Sequence, residues 1–129
     1  MCQAKPKRIL LLVHSDDYWK VIQLGLRMAS DWEVLSANSI DEGVEIAERA
    51  ELDAILLDGD RGEEDLLRVL THPSTENLPV IAIVEGRPAD WSSSSLRNVA
   101  AVISKASNPL SLAEQIARAL HWPMPDFNN

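Results

Sequence analysis

The chain has 129 residues, 46% of them hydrophobic, which suits one domain that buries roughly two thirds of its unfolded surface and leaves no room for a second. A net charge of −8 and a pI near 4.7 exclude a general nucleic-acid-binding surface, which needs basic patches to displace counterions from phosphates. Cys2 is the single cysteine, so neither an intrachain disulfide nor a cysteine-rich metal site can form, and a reducing, cytoplasmic setting is expected.

Residues 1–7 are polar and contain Pro6, and they read as a loose arm. The apolar run at 9–13 is only a strand's length, too short for the core of a secretory signal. No stretch approaches the ~20 apolar residues that span a bilayer, so no membrane contact is expected. From Asp17 onward Tyr18, Val21, Ile22, Gly25, Met28 and Ala29 recur at three- and four-residue steps, which predicts a helix with one buried face, capped by Asp16 or Asp17. A weaker strand follows at 32–37. Ser39 with Glu42 three residues on fits a capping box, and Ile40, Val44 and Ala47 then share a face of a second helix.

The run LDAILLDGD at 52–60 is the centre of the chain. Four consecutive apolar residues, without the alternation of a half-wet strand, read as a strand covered on both faces. Such strands are central and parallel, and in open α/β sheets the ligand crevice lies beyond their carboxyl ends, where Asp58 falls. The competing reading is an aspartate that merely begins a turn with Gly59. A third helix begins near Glu63, Glu64 and Asp65, whose charges suit its first turn, and Pro73 ends it. Residues 80–84 give another continuous apolar strand, and 99–103 the last one. The stretch 87–97, with Trp91 and four serines in a row, is ambiguous. Asn108 and Pro109 open a final helix with Leu112, Ile116, Ala119 and Leu120 on its buried stripe. The tail 122–129, with Pro123 and Pro125, is not helical. Five strands alternating with helices predict an α/β domain with a parallel sheet.

The segments RILLLV at 8–13, DAILLD at 53–58, LPVIAIV at 78–84 and VISK at 102–105 together resemble the receiver domain of bacterial two-component response regulators over nearly the whole chain. The resemblance implies a flavodoxin-like (βα)5 three-layer sandwich over residues 8–121. It also implies a non-enzymatic signalling module in which an aspartate ending the third strand accepts a phosphoryl group with Mg²⁺. Asp58 matches that acceptor, and Lys105 matches the lysine that pairs with the phosphoryl group. Negative charge on phosphoryl oxygens must be neutralised for a carboxylate to attack, so a cation at Lys105 has a physical purpose.

Several positions depart from the pattern. The acidic pair after the first strand is replaced by His14 and Ser15, poor ligands for a hard ion, so metal binding is expected to be weak or absent. Asp16 and Asp60, with Asp58, are the remaining candidate ligands. Val84, followed by Glu85, stands where the family has a hydroxyl, Val102 where it has an aromatic, and Ala106 where it has a proline.

These features leave three readings. One is a stand-alone phosphorelay receiver phosphorylated at Asp58 by a histidine kinase or phosphotransfer protein, which then binds a downstream protein. The second is a phosphorylation-independent pseudo-receiver that serves as an interaction module. The third is a small enzyme on the flavodoxin-like fold. Trp91, Trp122 and Phe127 are candidate partner-docking side chains, against the alternative that the tail packs back on the final helix.

Overall fold

The structure, a computed structural model, describes residues 7–12, 17–30, 32–59, 63–85, 99–105 and 108–122. Five strands, β1 (Arg8–Leu12), β2 (Glu33–Ala37), β3 (Ala54–Asp58), β4 (Val80–Val84) and β5 (Ala101–Ser104), form one sheet in the order β2-β1-β3-β4-β5. Every pairing is parallel. This is the flavodoxin-like strand order, with its switch point between β1 and β3.

The continuous apolar runs are explained by the sheet's two covered faces. Every residue of β3 and β4 is buried, so neither strand needs polar alternation. Edge strand β2 is more open, with Glu33 and Ser36 exposed while Val34 and Ala37 bury on opposite faces of the sheet.

Side-chain parity divides the core. Ile9, Leu11, Ala54, Leu56, Ile81, Ile83 and Ile103 pack against α1 (Asp17–Ala29) and α4 (Pro109–Leu120). Leu10, Leu12, Ile55, Leu57, Val80 and Ala82 face α2 (Ile40–Arg49) and α3 (Glu63–Thr71). Asp58 continues the parity of Ala54 and Leu56, and Lys105 that of Ala101 and Ile103, so both lie on the α1 side of the sheet.

The buried stripe of α1 differs from the one expected. Ile22 and Gly25 are buried as expected and Trp19 and Leu26 join them, while Val21 and Met28, expected on the stripe, are exposed, as is Leu24. Both sets have helical spacing, and apolar residues on both sides of one helix leave its rotation undetermined by periodicity alone. The sheet and α4 settle it in favour of the bulky Trp19.

Helix ends follow local chemistry. Ser39 caps α2 by accepting from the Glu42 amide at 3.1 Å, the expected half of a capping box. Pro109 opens α4, as its fixed φ favours. The same helix closes with His121 at φ 59°, and the Trp122 amide donates to the Ala117 carbonyl at 2.8 Å, the 6→1 bond of a Schellman ending. Trp122 then packs edge-on to Trp32, with centroids 5.3 Å apart, and Lys7 lies over its ring. It is part of the core's edge and not a projecting anchor. Strand β5 begins two residues later than expected, because the Ala100 amide first donates to the Val80 carbonyl at 2.7 Å and the regular ladder starts at Ala101.

Candidate functional site

The carboxyl ends of β3, β4 and β5 meet beside the first turn of α1. Asp58, the last residue of β3, is 5% exposed. Lys105 follows β5, and its amide donates to the Val84 carbonyl at 2.7 Å, which fixes the exit of β5 against that of β4. Its ammonium then reaches back to Asp58, with Nζ 3.1 Å from Oδ1. The two residues singled out from the sequence thus converge, although 47 positions separate them (105 − 58).

A third side chain joins them that the sequence reading did not single out. The indole Nε1 of Trp19 donates to Asp58 Oδ2 at 3.3 Å, and Trp19 is itself only 2% exposed. Helix α1 begins at the same end of the sheet as Asp58, which brings its first-turn aromatics over the strand ends. Tyr18 stacks edge-on to Trp19 at 5.2 Å and donates its hydroxyl to the Lys105 carbonyl at 3.4 Å. The Lys105 ammonium lies 5.7 Å from the Tyr18 ring centroid and 6.0 Å from that of Trp19, within range of cation–π attraction. The signal for Trp19 was available in the spacing of 19, 22 and 26, and in an indole donor placed just past the first strand.

The remaining candidates divide. Asp16 and Asp60, along with His14, Ser15 and Ala106, lie outside the described residues, as do Trp91 and Phe127. Val84 is fully buried, and it presses on the backbone after Asp58: a Cβ built on Gly59 would stand 2.5 Å from Val84 Cγ1. An apolar wall therefore stands where the resemblance places a hydroxyl. Val102 packs with the α2 and α3 side of the core.

Mg²⁺ takes oxygen ligands in near-octahedral geometry, usually one or two carboxylates plus water. Among the described residues no cluster of three or more metal-ligating side chains occurs. The buried carboxylate that ends β3, Asp58, has Oδ1 facing an ammonium and Oδ2 facing an indole N–H. Asp58 therefore meets a cation and a ring donor at its two oxygens, and the other candidate ligands, Asp16 and Asp60, lie outside the described residues.

Solved structures match over most of the chain. The N-terminal domain of a response regulator/sensory box/GGDEF three-domain protein from Carboxydothermus hydrogenoformans is 24% identical, with 89% of this chain and 94% of that one covered, at a TM-score of 0.71. A CheY-like response regulator receiver domain protein from Methanospirillum hungatei is 23% identical, with coverage of 91% and 95% and a TM-score of 0.72. The chain has the receiver-domain fold. A third receiver domain, from a sensor histidine kinase of Pseudomonas aeruginosa, is 20% identical over 91% of this chain and 99% of that one, at a TM-score of 0.72, and holds a magnesium ion in its active-site cleft. No family model and no curated protein sequence matches the chain. Within the receiver fold, Asp58 and Lys105 sit at the carboxyl ends of the third and fifth strands, where open α/β sheets place their sites. No helix of the described residues is long and apolar enough to cross a membrane.

Proposed function

We propose that the chain is a receiver-type signalling module that acts by binding another protein, with Asp58 clamped as a fixed structural carboxylate and not poised for phosphoryl transfer. The observation that carries this reading is that both oxygens of a buried Asp58 are engaged, Oδ1 by Lys105 and Oδ2 by Trp19. A carboxylate that attacks phosphorus must present a free lone pair along the line of displacement while cations neutralise the incoming oxygens. Here the cation is spent on the carboxylate itself. Val84 supplies no hydroxyl to hold a phosphoryl oxygen. The surface offered to a partner includes Val21, Leu24 and Met28 on α1, all exposed and accompanied by exposed Lys20 and Arg27. In a chain of net charge −8, that apolar and basic stripe suits an amphipathic helix with acidic flanks.

A second reading is favoured by the convergence of Asp58 and Lys105 at the strand ends: Asp58 as the phosphoacceptor of a phosphorelay, served by a histidine kinase or phosphotransfer protein. The two are separated by titrating wild type and Asp58→Asn with beryllofluoride and Mg²⁺ at millimolar concentration, followed by amide chemical shifts. The clamp reading expects no Asp58-dependent change. Saturable binding to wild type that Asp58→Asn abolishes would replace it with the phosphoacceptor reading.

A further inference from the structure

We infer that the chain docks head to tail onto a second copy of itself, with the α1 stripe of one molecule seated in a groove beside α3 of the next. The inference rests on the reading of α1 as a docking surface and names what docks there. Among the described residues the exposed large apolar side chains are Val21, Leu24 and Met28 on α1 and Leu67 on α3. The first three recur at steps of three and four, so they project as one ridge. Met28, 67% exposed, is the most prominent of them, and its unbranched side chain adapts to irregular space. Leu67 stands at a cavity of about 370 Å³ whose walls include Leu70, Leu78, Val80 and Val99. Ridge and groove belong to one molecule, but α1 packs on one face of the sheet and α3 on the other. They can meet only between copies. An apolar ridge that fits a pocket elsewhere on the same surface makes a heterologous contact, which closes into a ring or grows as an open chain.

Charge selects this pairing over the symmetric ones. Exposed Lys20 and Arg27 flank the ridge, and Asp17, the acidic residue of α1, lies at the end remote from Met28. The groove is bordered by exposed Glu64, three residues before Leu67, and by exposed Glu76. Arg68, the basic residue of α3, is paired with Asp41 at 2.9 Å. Packing α1 on α1 sets Lys20 and Arg27 against their own counterparts, and packing groove on groove does the same with Glu64 and Glu76. Like charges across an interface oppose binding and opposite charges favour it. Ridge in groove is the arrangement that matches both the apolar surface and the charge. A net charge of −8 repels copies at long range, so the contact is weak and shows at high protein concentration.

The test is sedimentation velocity in physiological salt, from micromolar to several hundred micromolar protein. The mean mass of wild type is expected to rise with concentration and to pass that of a dimer. Met28→Glu and Leu67→Glu, both at exposed positions and checked for folding by circular dichroism, should each weaken association roughly ten- to a hundredfold, the worth of one buried apolar side chain. Glu76→Lys at the groove's rim is a second variant with the same expected direction. An equimolar mixture of Met28→Glu and Leu67→Glu should regain a complex of two and no more, because the intact ridge of one fits the intact groove of the other. Wild type that stays monomeric, association that survives in either variant alone, or a mixture that stays monomeric overturns the inference. The beryllofluoride titration of Asp58 is independent of these outcomes: a monomeric wild type leaves the clamp reading in place, and Asp58-dependent binding in a chain that still associates removes the clamp and keeps the contact.

Discussion

Asp53 and Asp58 stand at the two ends of β3 and use their carboxylates in opposite ways. Asp53 is half-buried and engages the backbone: its Oδ2 accepts from the Arg8 amide at 2.8 Å, while its own amide donates to the Arg8 carbonyl at 2.8 Å. It staples the start of β3 to the start of β1, a job that requires only the neighbouring strand. Asp58 is held by side chains from α1 and from the residue after β5, so its environment exists only once the whole α/β domain has closed. A strand-end aspartate is therefore not informative by its position. What sets Asp58 apart is that three separate elements converge on it, and that its partners are a cation and a rigid ring donor where Asp53 has a peptide.

The largest test of this contrast is Lys105→Met. Leaving the buried Asp58 carboxylate without its cation is expected to cost about 3–5 kcal/mol in urea unfolding. Adding Asp58→Asn should recover most of that loss, giving a coupling energy well above the few tenths seen for independent sites. Next in size is Gly59→Ala, whose new methyl would meet Val84 Cγ1 and should cost about 1–3 kcal/mol as overpacking. Val84→Ala in the same chain should relieve part of it, showing that an apolar wall closes the far side of the site. The smallest is Asp53→Ala, expected to cost about 1 kcal/mol for one hydrogen bond. Combined with Asp58→Asn it should be additive, because about five strand residues separate the two carboxylates.

Much of the sheet was legible because its strands are covered on both faces. Fully buried strands carry unbroken apolar runs, and the sites where RILLLV, AILL and VIAIV stop at polar residues locate the functional end of the sheet. Lys105 was legible from its place just past the last strand, and the pleat then turns it toward Asp58. The indole of Trp19 was not, because α1 has apolar residues on two sides. The expected stripe held Ile22 and Gly25, which are buried, but drew in Val21 and Met28 in place of Trp19 and Leu26 and so left Trp19 unassigned. Periodicity ranks faces by hydrophobicity, whereas the sheet and α4 select by volume and shape. The start of β5 slipped for a related reason: Val99 and Ala100 are as apolar as the strand proper, and only the ladder with β4 distinguishes them.

The central claim, that Lys105 and Trp19 together hold the Asp58 carboxylate, is tested most directly by the Trp19 indole N–H resonance in ¹H–¹⁵N spectra of wild type, Asp58→Asn and Lys105→Met. The account predicts an indole proton protected from solvent exchange in wild type, shifted and faster-exchanging in Asp58→Asn, and displaced in Lys105→Met as the carboxylate loses its other partner. An indole resonance that exchanges freely in wild type and does not respond to either substitution would contradict it.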